Sequence, residues 1–516
     1  MNMKELTALN TSRRNFMAGV GAIAASQGIP SAQAASPIID QSRFASQERL
    51  WSDVKTMVSY GLRYPGTANH LRYCAFINQR LRDAGLIVEQ LERHSLDVWE
   101  PRKWSIVSAS GKAIRVAATN RESSSTGPDG VTAPLKYCGT AKGTVFGAAL
   151  DPSSFPHIDI PADVKGKIAL IEVEIEPLPF GRMFEGQVAA VVDRSHAGGM
   201  PAVQPMATAW NNTESRLPAT LEEDLRKAGA EGVIYAWANI VDDDGQGQIR
   251  RNGTAALPSL WVAMSGARAL RALEASGEPV TLTIEAHVTP AVHTATTVAT
   301  LPGMSDETIL VWTHTDGMNA IQENGSIAVV NLMKYFAGIP KEQRKRTITC
   351  VLSEGHLALN HTPDIWWATQ RPDIMAKAVA SISMEHMGCR EWLGHPEANT
   401  FTPTDKPDVS WAFTFAPEDK PNYLAKIMEQ ALGESTLART VVTSNSPFSF
   451  CPGLHPWTLA KVPSIGYIST PSYFLAEAPD GHISKLCPAL YHEQVLTMAR
   501  AIRLLDAAPR AMLREA

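Results

Sequence analysis

The residues best suited to chemistry begin at Thr313-His314-Thr315-Asp316-Gly317, which follows the apolar run Ile309 to Trp312 and leads into Glu323-Asn324-Gly325 at the mouth of an apolar-periodic segment. A histidine and two carboxylates at the carboxyl end of a buried strand would lie where open α/β sheets place their ligand sites. The grouping reads as part of a metal site. A histidine ligand needs its second ring nitrogen held by an acceptor that fixes tautomer and direction, and a His-x-Asp step brings such a partner close. The same placement recurs downstream: Glu354 and His356, then Glu385 and His386, and finally His482. One histidine at a strand end is ordinary, but polar groups at several strand ends have no packing reason to be there. The six cysteines (74, 138, 350, 389, 451 and 487) contain no Cys-x-x-Cys pair, which argues against a thiolate zinc site and leaves any disulfide pairing unassigned.

The elements that must carry these groups are strands and helices in alternation. Strands are expected at Thr297 to Leu301, Ile309 to Trp312, Thr347 to Leu352, Ala378 to Met384 and Ser464 to Ile468. Helices are expected at Gly325 to Phe336, with Ile327, Val330, Leu332 and Met333 on an apolar face, and at Pro488 to Leu505. This order predicts an α/β fold with a mostly parallel central sheet and helices on both of its faces. Upstream, Leu50, Val54, Met57 and Val58 recur at helical spacing, a second helix runs from about Asn69 to Ala84, and Gly85 ends it. The segment Ser108 to Pro134 is rich in Gly, Ser and Thr and reads as a linker or hairpin region. From about Leu135 to Ala291 the character changes to a β-rich stretch with short helices near Leu221 to Ala228 and Ala267 to Ala275.

The front of the chain reads as an address. Ser12-Arg13-Arg14-Asn15-Phe16-Met17 sets paired arginines ahead of the short apolar stretch Met17 to Ala25, and Ala32-Gln33-Ala34 supplies a small-x-small cleavage pattern. Residues 1–34 therefore read as a twin-arginine signal peptide, which implies the twin-arginine export machinery as a transient partner and a periplasmic or secreted location. No run approaches the roughly 18 apolar residues that a spanning helix needs, so no membrane span is expected. With 516 residues, 44% hydrophobic, the chain can bury more than one core. Its net charge of −5 with 19% charged residues, and the lack of a Lys/Arg stripe, leave no footprint for nucleic acid.

Taken in order, these motifs resemble the M28 family of zinc peptidases over roughly residues 45 to 505. The stretch 135–291 resembles an inserted protease-associated domain, through its "GKIAL" strand, its "KAGAEGVI" helix-to-strand turn and its "LPSLWVA" strand. The implied organisation is a signal peptide (1–34), a first part of the peptidase-like domain (35–134), the insert (135–291) and the second part (292–516). The resemblance makes His314 the first metal ligand with Asp316 orienting it. Glu323, in Glu323-Asn324-Gly325-Ser326, takes the place of a bridging aspartate with one more methylene. The family's Glu-Glu pair, a general base followed by a ligand, is matched by Ser353-Glu354-Gly355-His356, where one glutamate is missing. In one register His356 is the ligand; in the other Glu354 is. Glu385 takes the next ligand position, and His482 completes the set, with Tyr473 and Glu477 competing for that role.

The resemblance implies zinc, two ions by the family pattern with one or none as the alternatives, and an exported hydrolase cleaving an amide, the peptide bond of an N-terminal residue. His314, Glu323, His356, Glu385 and His482 would hold the metal that activates water toward the scissile carbonyl. Glu354, or failing it His386, would move the proton, and Tyr473 would steady the oxyanion. The alternative from another class is a catalytically inactive peptidase-like binding or scaffold protein, favoured by the incomplete Glu-Glu pair. A serine hydrolase lacks its Gly-x-Ser-x-Gly elbow.

Overall fold

Each of the five apolar runs after Thr296 becomes a strand of one nine-stranded sheet. A computed structural model describes residues 38–514, except 93–94, 144–157, 176–177, 180–183, 195–206, 209–219, 246–255, 358–362, 418–420, 446–453 and 478–479. The signal-peptide reading of residues 1–34 and Cys451 lie outside the described residues. Across the sheet the order is Ile87–Glu92, Ala295–Leu301, Arg346–Ser353, Ser305–His314, Ala378–Glu385, Ser464–Ser469, Ser410–Phe415, Arg439–Ser444 and Val188–Asp193. The four strands from Arg346–Ser353 to Ser464–Ser469 run parallel. Antiparallel pairs lie toward both edges, Ala295–Leu301 on one side and Ser410–Phe415 on the other.

Burial on both faces explains the composition of the central strands. Ala378–Glu385 is buried at every position, and Ser305–His314 is buried from Thr308 onward. Helix Asn324–Ala337, between strands Ser305–His314 and Arg346–Ser353, has only Lys334 and Ala337 outside the buried set. That all-round apolar sequence suits a helix enclosed by neighbours rather than one with a wet face. Helices Gln47–Ser59 and Ala68–Asp83 start at Ser46 and Thr67, whose hydroxyls accept from the N–H of Arg49 and His70. The eight-residue loop between these two helices carries Arg63 and Tyr64 into the interior.

A second sheet joins segments from both sides of residue 135. Strands Leu96–Ser108, Ala113–Ile114 and Val131–Ala133 pair with one another or with Val280–Val292 in a four-stranded sheet, outside the nine-stranded one. A five-stranded sheet built on Ile168–Ile175, Gly232–Trp237 and Ser259–Val262 packs beside it. Val188–Asp193, from the 135–291 stretch, forms an edge of the nine-stranded sheet by pairing antiparallel with Arg439–Ser444. Among the described residues no helix is long and apolar enough to cross a membrane. Cys74, Cys138, Cys350, Cys389 and Cys487 form no disulfide.

Candidate metal centre

The site sits at the carboxyl ends of the parallel strands. From Ser305–His314 the chain moves to Arg346–Ser353 on one side and then to Ala378–Glu385 on the other, so the strand order reverses about His314. Open sheets form a crevice at such a point. His314 and Glu385 close their strands, and His356 follows Ser353 by one short turn. One donor atom from each of His314, His356 and Glu385 lies within 4.8 Å of the others. His314 and Glu385 are buried and His356 is partly exposed, which leaves the cluster one open side.

Hydrogen bonding sets the direction of each donor. His314 Nδ1 is 2.8 Å from the carbonyl oxygen of Asp316. A carbonyl only accepts, so Nδ1 carries the proton and the Nε2 lone pair faces Glu385 Oε1 at 3.6 Å. Glu385 Oε1 is buried without a hydrogen-bond partner. Two acceptors facing each other beyond hydrogen-bond length repel, and a cation between them relieves the repulsion. Their separation suits two donors each bound to one zinc ion at about 2.0–2.2 Å. Imidazole nitrogen with carboxylate oxygen is a zinc donor set, and two histidines with one glutamate leave a position open for substrate. The residues present therefore fit the group.

Asp316 does a different job from the one its spacing suggests. Its carbonyl, not its carboxylate, orients His314; Oδ1 is 3.8 Å from His314 Nδ1. The carboxylate accepts from the backbone N–H of His356 at 3.1 Å and of Leu357 at 2.6 Å. It pins the turn that delivers His356. Burial raises this carboxyl, yet His314, His70, His356 and the Leu357 N–H together hold it below the usual range. Of the two registers, the one with His356 is the one whose donor atom lies beside those of His314 and Glu385.

Four other assignments are corrected. Glu323 does not join the cluster: its Oε1 accepts from the guanidinium of Arg63, both side chains being buried. Glu354 is engaged elsewhere, where Thr294 and Thr296 donate to its carboxylate. His482 faces the Nζ of Lys485 at 3.0 Å through Nδ1 and contributes nothing to the cluster. The Tyr473 hydroxyl donates to the carbonyls of Arg390 at 2.6 Å and Lys485 at 3.3 Å, which makes it a structural tie instead of an oxyanion donor. Glu477, the other competitor, accepts from the Tyr64 hydroxyl and from Thr119.

His386 gains what Glu354 loses. Its positive φ of 49° breaks the alternation of the strand, so two consecutive side chains turn toward one region. The Nδ1–H donates to Ser469 O at 2.9 Å. Nε2 is then the acceptor nitrogen; it is buried, has no hydrogen-bond partner and lies 3.9 Å from Glu385 Oε2. Burial pushes the His386 imidazole down to about 4, against the pull of Glu385, so the ring is neutral.

Three supporting residues were given no role of their own by the sequence. His70 Nε2 reaches Thr315 Oγ1 at 2.9 Å, and Thr315 in turn donates to Ser353 O, which ties helix Ala68–Asp83 to the strand end. The Asn324 side chain pairs with both backbone groups of Met387, at 2.7 and 2.9 Å, and holds the turn after Glu385. Gly325 lies where a Cβ would come within 2.1 Å of Met384 O. A cavity of ≈ 390 Å³ is lined by Arg63, Trp104, Val116, Met318, Asn319 and Glu477 among others.

No family model and no curated protein matches the chain. Solved structures do. The Peptidase M28 precursor from Shewanella amazonensis superposes with a TM-score of 0.64 at 15% identity, over 92% of this chain and 96% of that one. BSAP, a zinc aminopeptidase from Bacillus subtilis, gives 0.58 at 14% identity, over 91% and 98%. The aminopeptidase from Aneurinibacillus sp. strain AM-1 gives 0.50 at 13%, over 89% and 93%. These likenesses establish the mixed α/β fold, shared with a zinc aminopeptidase, a second aminopeptidase and an M28 peptidase precursor.

Proposed function

We propose that the protein is a zinc-dependent amide hydrolase of the aminopeptidase type, exported by the twin-arginine route that Arg13 and Arg14 suggest. The observation that carries the reading is the convergence of His314, His356 and Glu385, with an unpartnered Glu385 oxygen facing an imidazole lone pair. The names of the structural neighbours support zinc and peptide substrates. The strands "GKIAL" and "LPSLWVA" support a protease-associated character for the insert.

Zinc held by His314, His356 and Glu385 would polarise a carbonyl and acidify water. The chain's own part is positional. Asp316 keeps His314 in the tautomer that binds through Nε2 and fixes the turn of His356. His386 Nε2, a buried acceptor beside Glu385, takes a proton from attacking water; passing it to the leaving amine restores the neutral ring. The cavity beside Met318 and Asn319 would receive the substrate's first residue against Val116 and Trp104.

Glu354 bound by two threonines favours a second reading, a peptidase-like scaffold without catalysis. Metal content and cleavage separate the two. Protein purified without chelator should carry zinc, lose it on His314→Ala and Glu385→Ala, and release aniline from aminoacyl anilides. Protein that stays metal-free with zinc supplied and cleaves no anilide would leave the scaffold.

A further inference from the structure

We infer that the centre takes a single zinc ion, because the protein's own cations occupy the two groups that a second ion would need. The inference rests on the metal reading above and disagrees with the two-ion pattern that the sequence resemblance implies.

The second ion would require Glu323 and His482. Glu323 is fully buried, and the guanidinium of Arg63, equally buried, meets its Oε1 through both Nε and Nη2. Arg63 is itself built in. Its Nη1 donates to Gly61 O, its Nη2 to Asn319 O at 2.7 Å, and its backbone exchanges two hydrogen bonds with Gly317. The guanidinium is thus held from three sides at the loop that follows Asp316. Burial lowers Arg63 to about 10, which still leaves it charged at neutral pH. The other Glu323 oxygen, Oε2, has no hydrogen-bond partner but abuts Gly317, where an added Cβ would overlap it.

His482 is engaged in the same manner. Its Nδ1 meets Lys485 Nζ, which also donates to Asp243 O and lies over the rings of Phe401, Trp392 and Tyr473. A divalent ion placed between Glu323 and His482 would have to displace two fixed monovalent cations or sit beside them in a region with little water to screen the repulsion. The buried carboxylate has its countercharge already. Arg63 therefore acts as a positioning residue that stands in for a metal, and it closes the loop next to the single ion held by His314, His356 and Glu385.

The test is a zinc titration of the full chain after chelator stripping, with bound zinc measured by mass spectrometry and by calorimetry. One equivalent is expected for the wild type. Glu323→Gln should keep one equivalent with affinity changed by less than about 3-fold, since Glu323 is no ligand. The double variant Arg63→Met/Glu323→Leu removes both charges without leaving either buried alone, so it should fold and also retain one equivalent. His314→Ala should lose it. Two equivalents in the wild type, falling to one in Glu323→Gln, would overturn the single-ion assignment and leave the hydrolase reading standing. Zinc lost from the folded double variant would also overturn it. A wild type that binds no zinc would bring down the metal reading itself, a separate result.

Discussion

The imidazoles of His314 and His356 stack with ring centroids 4.2 Å apart and planes inclined by 26°. Two imidazolium rings would repel at that distance, so the stack fits neutral rings, the form that binds metal. One residue organises both: the Asp316 carbonyl takes the His314 Nδ1–H, and its carboxylate takes the backbone N–H groups of His356 and Leu357.

Asp316→Asn is the substitution that separates these two functions. The carbonyl bond to His314 persists, but an amide offers one acceptor oxygen where two backbone donors need acceptors. The turn of His356 should loosen, and zinc affinity should fall about 10- to 100-fold, as for other losses of a ligand's support. Chelator competition measures it. Affinity unchanged in Asp316→Asn would mean that the turn holds itself.

Glu354→Gln and His386→Ala should behave oppositely. Glu354 is bound by Thr294 and Thr296, so its amide should leave kcat within about 10-fold if only packing is touched. His386→Ala should retain zinc and lower kcat by about 100- to 10,000-fold, the range for a positioned proton carrier. Parallel kcat and bound-zinc measurements decide, and a His386→Ala enzyme of normal kcat would return the proton step to another group.

How much of this was legible in the sequence follows physical lines. The central strands and the enclosing helix were readable because burial on both faces writes continuous apolar runs; strand ends pointed to His314, Glu385 and the Glu354/His356 pair, but did not choose between the last two. Glu323 and His482 were misassigned because their true partners, Arg63 and Lys485, come from a loop and a 3-10 turn whose approach no periodicity encodes. The role of Asp316 was misplaced by one group, since spacing brings a residue near but does not say whether carbonyl or carboxylate arrives. Glu354 and His386 exchange importance through backbone handedness, a positive φ at His386 that a histidine in a strand-end motif does not advertise. Strands 96–108 and 280–292 pair although they lie far apart in the chain, a partnership that local composition does not encode.

Tyr473→Phe should cost stability and not chemistry. The hydroxyl joins the hairpin carrying Arg390 to the turn of Lys485, and burial raises the phenol, so it stays protonated and donating. Removing it should cost about 1–2 kcal/mol, with kcat and zinc content unchanged. Urea unfolding measures the first and steady-state kinetics the second. A large fall in kcat in folded Tyr473→Phe would restore a catalytic role.

Acid sensitivity should arise from histidines kept neutral by burial. Burial lowers His482 to about 3, helped by Lys485 and Arg115, and lowers His70 to about 4 against the pull of Asp316. An unfolded chain takes up a proton on each near 6.5, so below that pH the unfolded state binds more protons and folding stability falls. Each group contributes a slope of up to about 1.4 kcal/mol per pH unit, from about 6.5 down to its folded value. His482→Asn isolates one of them. Asparagine tolerates the left-handed backbone at φ 56° and keeps an oxygen for Lys485 Nζ, so stability at pH 7 should change little. The slope between pH 6 and 4 should then lessen by about one proton, read from urea unfolding across that range. A variant with the wild-type slope would show that His482 is protonated in the folded protein, and the neutral contact with Lys485 would have to be abandoned.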